Sequence, residues 1–271
     1  ETDKSGQSLS EWTFKQSNQK SRLAEEMCRK GFSFSIGGQD QKALEYFKMA
    51  TENDPSSTTA WYGLGYCYAG KNSHTDAIEA YQQAIRTNPT NEMPYFHLGN
   101  YYHKIGRHEK AIEKFNQVVS INSEFEAAYF NMGIIYNKAG RIEEARKAFQ
   151  HVVRLNPQSK TAYYNIGVAS TKLGQYEQAA VAYKKAIDIQ PEFTEALFNL
   201  GVVYGQLGNI KDEMETYKKA IRVNPDFAPA HYAIGQAYLD QGDKPLALDQ
   251  YKILKKLDSD MADKLFEEIY R

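Results

Sequence analysis

Cysteine is scarce in this chain, net charge is almost absent and no long apolar run occurs. Its 271 residues hold two Cys and set 33 Lys+Arg against 34 Asp+Glu, for a formal net charge of -1. Two thiols cannot build a disulfide framework, and they point to a reducing, cytoplasmic-type compartment. Balanced charge gives no footprint for nucleic acid or an anionic membrane. No stretch approaches the roughly 20 apolar residues of a membrane helix, and no charged-then-apolar signal segment opens the chain. Because it begins at Glu1 and not Met, the sequence is expected to be an excerpt or a processed form, which leaves a removed signal or anchor open. What is present is 42% hydrophobic and 25% charged residues, a composition able to bury a core, with 20 Tyr, 13 Phe and 2 Trp.

Glycine and proline reveal the organisation. Pro55, Pro89, Pro157, Pro191 and Pro225 are spaced by 34 or 68 residues, and Ser123 and Ser259 stand where the same ruler lands without a Pro. Units of 34 residues therefore begin at 24, 58, 92, 126, 160, 194 and 228. The predicted divisions are an N-terminal arm or extra helix (1–23), seven repeats (24–57, 58–91, 92–125, 126–159, 160–193, 194–227, 228–261) and a capping helix (262–271).

Two columns of the repeat are glycine. The eighth place is Gly in all seven units (Gly31, Gly65, Gly99, Gly133, Gly167, Gly201, Gly235). The fifteenth is Gly in six, with Asn72 in the other. The later column reads as the left-handed residue that ends a helix. The earlier one is mid-helix, where Gly costs about 1 kcal/mol against Ala and needs a packing reason. A small column twelve residues on (Ala43, Ala77, Ala111, Ala145, Ala179, Ala247) supplies one, by letting two helices approach. In the fourth unit Tyr129, Met132, Gly133 and Tyr136, then Ala145, Phe149 and Val152, recur at helical spacing. Each unit is thus predicted to be two amphipathic helices, A and B. The five unit prolines stand just ahead of five of the A helices, and Pro94, Pro229 and Pro245 fall in first turns, where the missing N–H costs little.

These columns resemble the tetratricopeptide repeat, whose signature reads in the second unit as Trp61, Leu64-Gly65, Tyr68, Ala77, Tyr81, Ala84 and Pro89. The resemblance covers seven units in register and implies an all-α, right-handed superhelical solenoid with the A helices lining a concave groove. Two departures stand out. Met27 and Lys30 replace apolar anchors in the first unit, and Glu213 enters the small column of the sixth. Its carboxylate is expected to snorkel outward, or its hairpin to splay. The flanks read as caps: Trp12, Phe14 and Leu23 on an arm against the first repeat, and Leu265, Phe266 and Ile269 on a short helix over the last, as solenoids require.

Catalytic patterns are lacking. Gly65 to Lys71 matches a phosphate loop, but Asn72 replaces the Mg²⁺-holding hydroxyl and Gly65 is explained by packing. His74, His97, His103, His108, His151 and His231 form no i, i+4 pair; His97, His103 and His108 fall in one unit and could meet a partner or a chance metal, but the six are read as solvated surface residues. No nucleophile, base and orienting group can be assembled, and no cofactor or metal site is expected.

The groove is where function is expected, because the resemblance turns places two, five, six, nine, twelve and thirteen toward it. Place five is aromatic from the second unit on: Tyr62, Phe96, Phe130, Tyr164, Phe198 and Tyr232. Place six carries Asn131, Asn165 and Asn199, amides able both to donate to and accept from an extended backbone. That row is similar to the asparagine ladder lining the repeat region of O-linked N-acetylglucosamine transferase. At place nine Ile134, Val168 and Val202 are expected to form an exposed apolar strip, while Lys104, Lys138 and Lys172 make a basic row at place thirteen. The carboxylate clamp of the chaperone-binding subclass is absent.

The expected function is a protein-interaction scaffold or adaptor, not an enzyme, that holds an extended peptide or partner segment on these residues. Two alternatives are a substrate-recruiting or regulatory part of a larger enzyme or membrane-anchored assembly, and a scaffold that self-associates through its termini.

Overall fold

In a computed structural model, residues 9–271 are described, with side chains from residue 16 onward. Every regular element among them is an α-helix. In order these are α1 (Leu9–Ile36), α2 (Asp40–Asn53), α3 (Thr58–Gly70), α4 (His74–Thr87), α5 (Glu92–Lys104), α6 (His108–Ile121), α7 (Glu126–Lys138), α8 (Ile142–Leu155), α9 (Lys160–Lys172), α10 (Tyr176–Ile189), α11 (Thr194–Gln206), α12 (Ile210–Val223), α13 (Ala228–Asp240), α14 (Lys244–Leu257) and α15 (Ser259–Ile269). The described residues form two compact units, divided between residues 128 and 129, each a row of A/B hairpins.

The hairpin turns are dictated by the fifteenth place. Gly38, Gly106, Gly140, Gly174, Gly208 and Gly242 have φ between 70 and 77°, and Asn72 has φ 58°. Each left-handed residue ends helix A with paired reversals. In the third hairpin Gly106 N–H donates to His103 O at 3.0 Å and Arg107 N–H to Tyr102 O at 2.8 Å, which satisfies two carbonyls that the helix end would otherwise orphan.

Mid-helix glycine has a different cause from the one its spacing suggested. A Cβ on Gly65 would lie 2.6 Å from Tyr81, on Gly133 2.7 Å from Phe149 and on Gly167 2.5 Å from Tyr183. The obstacle is the ring at place twenty-four, sixteen residues on, and not the alanine at place twenty, although those alanines are themselves fully buried. The glycine is a seat for a buried aromatic ring. The cost of about 1 kcal/mol in helix propensity is offset by burying a side chain worth about 1.5–3 kcal/mol.

The ends differ from expectation. The arm and the first helix A are one continuous 28-residue helix, α1, while the contacts of Trp12 and Phe14 lie outside the described side chains. At the other end α15 starts three residues early, at Ser259, where Asp258 caps it by accepting from Met261 N–H at 3.0 Å. Leu265 and Ile269 are buried, and Leu265 fills the seat of Gly235 at 2.7 Å, where the other six hairpins place their own ring.

Glu213 neither snorkels fully outward nor stands clear of helix A. It is half-buried against Gly205, whose Cβ would meet its Oε1 at 2.7 Å. Burial raises its carboxyl above the ordinary value, opposed by a hydrogen bond with Tyr217. The oversized residue in α12 is accommodated by an undersized one in α11.

Candidate functional site

The A helices turn the same places toward open space in both units. In the first, a cavity of about 330 Å³ is lined by place six (His97), nine (Tyr66, Asn100), twelve (Ser35, Ala69) and thirteen (Gly70, Lys104). In the second, one of about 480 Å³ is lined by place six (Ala233), nine (Gln236), twelve (Leu239) and thirteen (Asp240), together with Glu213 and Glu268. Helical periodicity makes this inevitable: places six, nine and thirteen lie three or four residues apart and share one face.

Place five is less open than the sequence implied. Five of its six rings pack against the seated ring of the same hairpin: Phe96 on Phe115 at 5.8 Å, Phe130 on Phe149 at 5.6 Å, Tyr164 on Tyr183 at 5.9 Å, Phe198 on Tyr217 at 5.8 Å and Tyr62 on Tyr81 at 6.2 Å; Tyr232, in the hairpin whose seat Leu265 fills, instead donates its hydroxyl to Glu268 at 2.8 Å. Phe96, Tyr164 and Phe198 add a second ring, from Phe125, Phe193 and Phe227. One face of each is therefore spent on structure, which leaves only a half-buried remainder.

The three asparagines are half-buried and not equivalent. Asn199 Nδ2 donates to the Tyr164 hydroxyl at 3.1 Å, tying place six of one hairpin to place five of the previous one. Asn165 Nδ2 donates to Thr161 O in its own helix at 2.7 Å. An amide has two donor hydrogens and a two-lone-pair acceptor, so the bonds that Asn165 and Asn199 make leave each of them capacity for a ligand backbone. Ile134, Val168 and Val202 are half-buried, where an exposed strip had been expected, because each also packs on the core of its own hairpin. In the basic row Lys104 donates to Asn72 at 3.2 Å and Lys172 to Asn137 at 2.9 Å, both across adjacent hairpins, and Lys138 is exposed.

In the first unit sequence reasoning named Tyr62, Phe96 and Lys104 but not Tyr66 or His97 as groove residues. Tyr66 at place nine is 51% exposed on the cavity wall. His97 stands where Asn stands in three later units; it shares a hydrogen bond of 3.0 Å with the Tyr62 hydroxyl through Nε2, and burial pulls its imidazole below the ordinary value. Two histidines read as solvated are thus structural, since His231 is also buried, held by Gln250 and the Pro225 carbonyl at 2.8 Å each. Both thiols are inert: Cys28 and Cys67 are buried, and desolvation pushes each up to about 11.

Among the described residues no group of three or more His, Cys, Asp or Glu could hold a metal ion, and no helix is long and apolar enough to cross a membrane. Rows of ring-seated hairpins that present a repeated side-chain face define the class: a helical-repeat scaffold for protein interaction.

Comparison with known proteins supplies the family. Tetratricopeptide repeat profiles match residues 38–92, 80–113, 126–159 and 194–227, and a further TPR repeat profile matches 99–140, 169–208 and 214–242. The chain belongs to the tetratricopeptide repeat family. Among solved structures it is similar to YrrB, described as a TPR protein with an unusual peptide-binding site, at 22% identity and TM-score 0.62 over 70% of this chain and 100% of that one. It is similar to MamA at 28% identity and TM-score 0.58, over 63% and 93%. A C-terminal part of a TPR protein from Cytophaga hutchinsonii aligns at 17% identity and TM-score 0.75, over 86% and 95%. No curated protein sequence matches the chain.

Proposed function

We propose that the chain binds an extended segment of a protein partner along places six, nine and thirteen of its A helices and carries out no chemistry itself. The observation that supports this most is the recurrence of those places on the cavity wall of both units, although their residue types differ: Tyr66, His97 and Asn100 in one, Gln236 and Asp240 in the other. In the second unit the amides of Asn131, Asn165 and Asn199 hold the ligand backbone. The half-buried edges of Ile134, Val168 and Val202, with the free edges of Phe130, Tyr164 and Phe198, take apolar side chains. Lys138 and Lys172 attract acidic flanks, and in the first unit Tyr62, Phe96 and Lys104 play the corresponding parts. YrrB, with its peptide-binding site, lends the reading an analogy at the level of fold.

A peptide-display selection on the immobilised full chain is the direct test. Selected peptides are expected to bind the Asn131→Ala/Asn165→Ala/Asn199→Ala variant several-fold more weakly, with helicity unchanged. Peptides that bind both proteins equally, or a selection that enriches nothing, would refute the mechanism.

A further inference from the structure

The helix ends of the third hairpin bring two imidazoles together. His103 closes the last turn of α5 and His108 opens the first turn of α6, and the reversal at Gly106 folds one back on the other. Their Nδ1 atoms are 3.2 Å apart and their ring centroids 5.1 Å apart, with both rings half-buried.

These distances suit a shared ion. Two Zn–N bonds of roughly 2.05 Å spanning 3.2 Å meet at about 103°, close to the tetrahedral angle. With each ring's Nδ1 lone pair aimed at that apex the centroids come about 5.0 Å apart, against 5.1 Å observed. A collinear N–H···N bond of the same length would separate them by about 5.5 Å. The pair therefore makes a bent N–H···N contact whose spacing also accommodates a shared ion.

We infer that His103 and His108 form a two-imidazole site for a divalent transition-metal ion of zinc type, bound through both Nδ1 atoms. Water completes the shell, since no third ligand of the usual kind joins the pair among the described residues. The ion takes the place of the proton that one Nδ1 presents to the other. That proton moves to Nε2 of its own ring, so both imidazoles ligate as neutral Nε2–H tautomers. Lys104, the nearest cation in sequence to His103, directs its ammonium away, to Asn72 Oδ1 at 3.2 Å. The site is peculiar to one hairpin. The same two places hold Ser35 and Asp40, Ala69 and His74, Asn137 and Ile142, Thr171 and Tyr176, Gly205 and Ile210, and Leu239 and Lys244 in the others. It shares no residue with the proposed ligand contacts, and although place twelve lines the cavity walls elsewhere through Ser35, Ala69 and Leu239, metal binding is read without any peptide present.

Titration of the full chain with zinc chloride in a non-chelating buffer tests the inference. Saturable one-to-one binding is expected, weakened at least about tenfold in both His103→Ala and His108→Ala. X-ray absorption of the zinc-loaded unmodified chain, which needs no variant to fold, should show two imidazole nitrogens at roughly 2.0–2.1 Å. Absence of saturable binding, binding unchanged in both variants, or a coordination shell without two imidazoles overturns the proposal.

Discussion

Replacing Gly167 by Ala sets two known effects against each other. Helix propensity favours Ala by about 1 kcal/mol in the interior of α9. Sterics oppose it, because the new Cβ would lie 2.5 Å from Tyr183 Cε1 and 2.7 Å from Cδ1, where carbon atoms rest about 3.5–4.0 Å apart. The ring would have to retreat by roughly 1 Å. Nothing lets it do so: Tyr183 is 1% exposed, packs in a cluster with Ala186, Ala196, Leu200 and Val203, and meets Tyr164 on another side. Overpacking of this kind costs about 1–3 kcal/mol, and a ring pinned on several sides falls at the upper end. Subtracting the propensity gain leaves a net loss of about 1–2 kcal/mol. Gly70→Ala is the control, since Gly70 is helical with nothing within 4 Å of its Cβ position and should gain a few tenths to about 1 kcal/mol. Urea titration followed by far-ultraviolet circular dichroism reads both as shifts in midpoint. Gly167→Ala at or above the stability of the unmodified chain would refute the ring-seat account.

Three further outcomes follow from the same contacts. Gly106→Ala forces a Cβ into a turn with φ 76° and should cost about 1 kcal/mol in the same urea assay, with no packing clash to blame. Gly205→Ala should be non-additive with Glu213→Ala: alone, part of its propensity gain is lost in displacing the carboxylate, whereas in the Glu213→Ala background the full gain of about 1 kcal/mol should be measured. His97 is held below its ordinary value by burial, so the unfolded chain takes up its proton first as pH falls. Stability is therefore lost below about pH 6.5, through the window down to the folded value. Comparing denaturation midpoints between pH 7.5 and 5.5, the advantage of the unmodified chain over His97→Asn should shrink as pH falls; a constant difference would remove His97 as the cause.

Much of the fold was legible because the constraints are local and repeated. Left-handed φ at place fifteen, first-turn prolines and the A/B division follow from residue type and spacing alone. The partner of the mid-helix glycine was not legible in the same way. Columns twelve and sixteen residues on both face helix A in a hairpin, and spacing cannot say which of them the glycine touches. A third column went unread although the letters were there: Asp54, Asn88, Asn122, Asn156 and Asn224 each accept a backbone N–H two residues on, at 3.0–3.2 Å, and so bend the chain from helix B toward the next helix A. The candidate site was legible in register but not in commitment. That Asn199 reaches the Tyr164 hydroxyl, or that the place-five rings lie on the seated rings, depends on side-chain direction across hairpins, which a one-dimensional pattern does not encode. His103 and His108 are five residues apart, a spacing that means nothing on a single helix. Only the turn between them brings their nitrogens to 3.2 Å.

The ring seat also bears on how such an array can change length. Glycine and ring lie sixteen residues apart inside one 34-residue unit, so a tandem duplication of one unit copies both halves together and requires no compensating change elsewhere. The last hairpin is the exception, because the seat of Gly235 is occupied by Leu265 from α15. A repeat inserted between the seventh hairpin and α15 would part Gly235 from its occupant, whereas one inserted earlier in the array leaves that contact intact. A unit is therefore expected to be gained or lost ahead of the seventh hairpin, with that hairpin and α15 inherited as a single block.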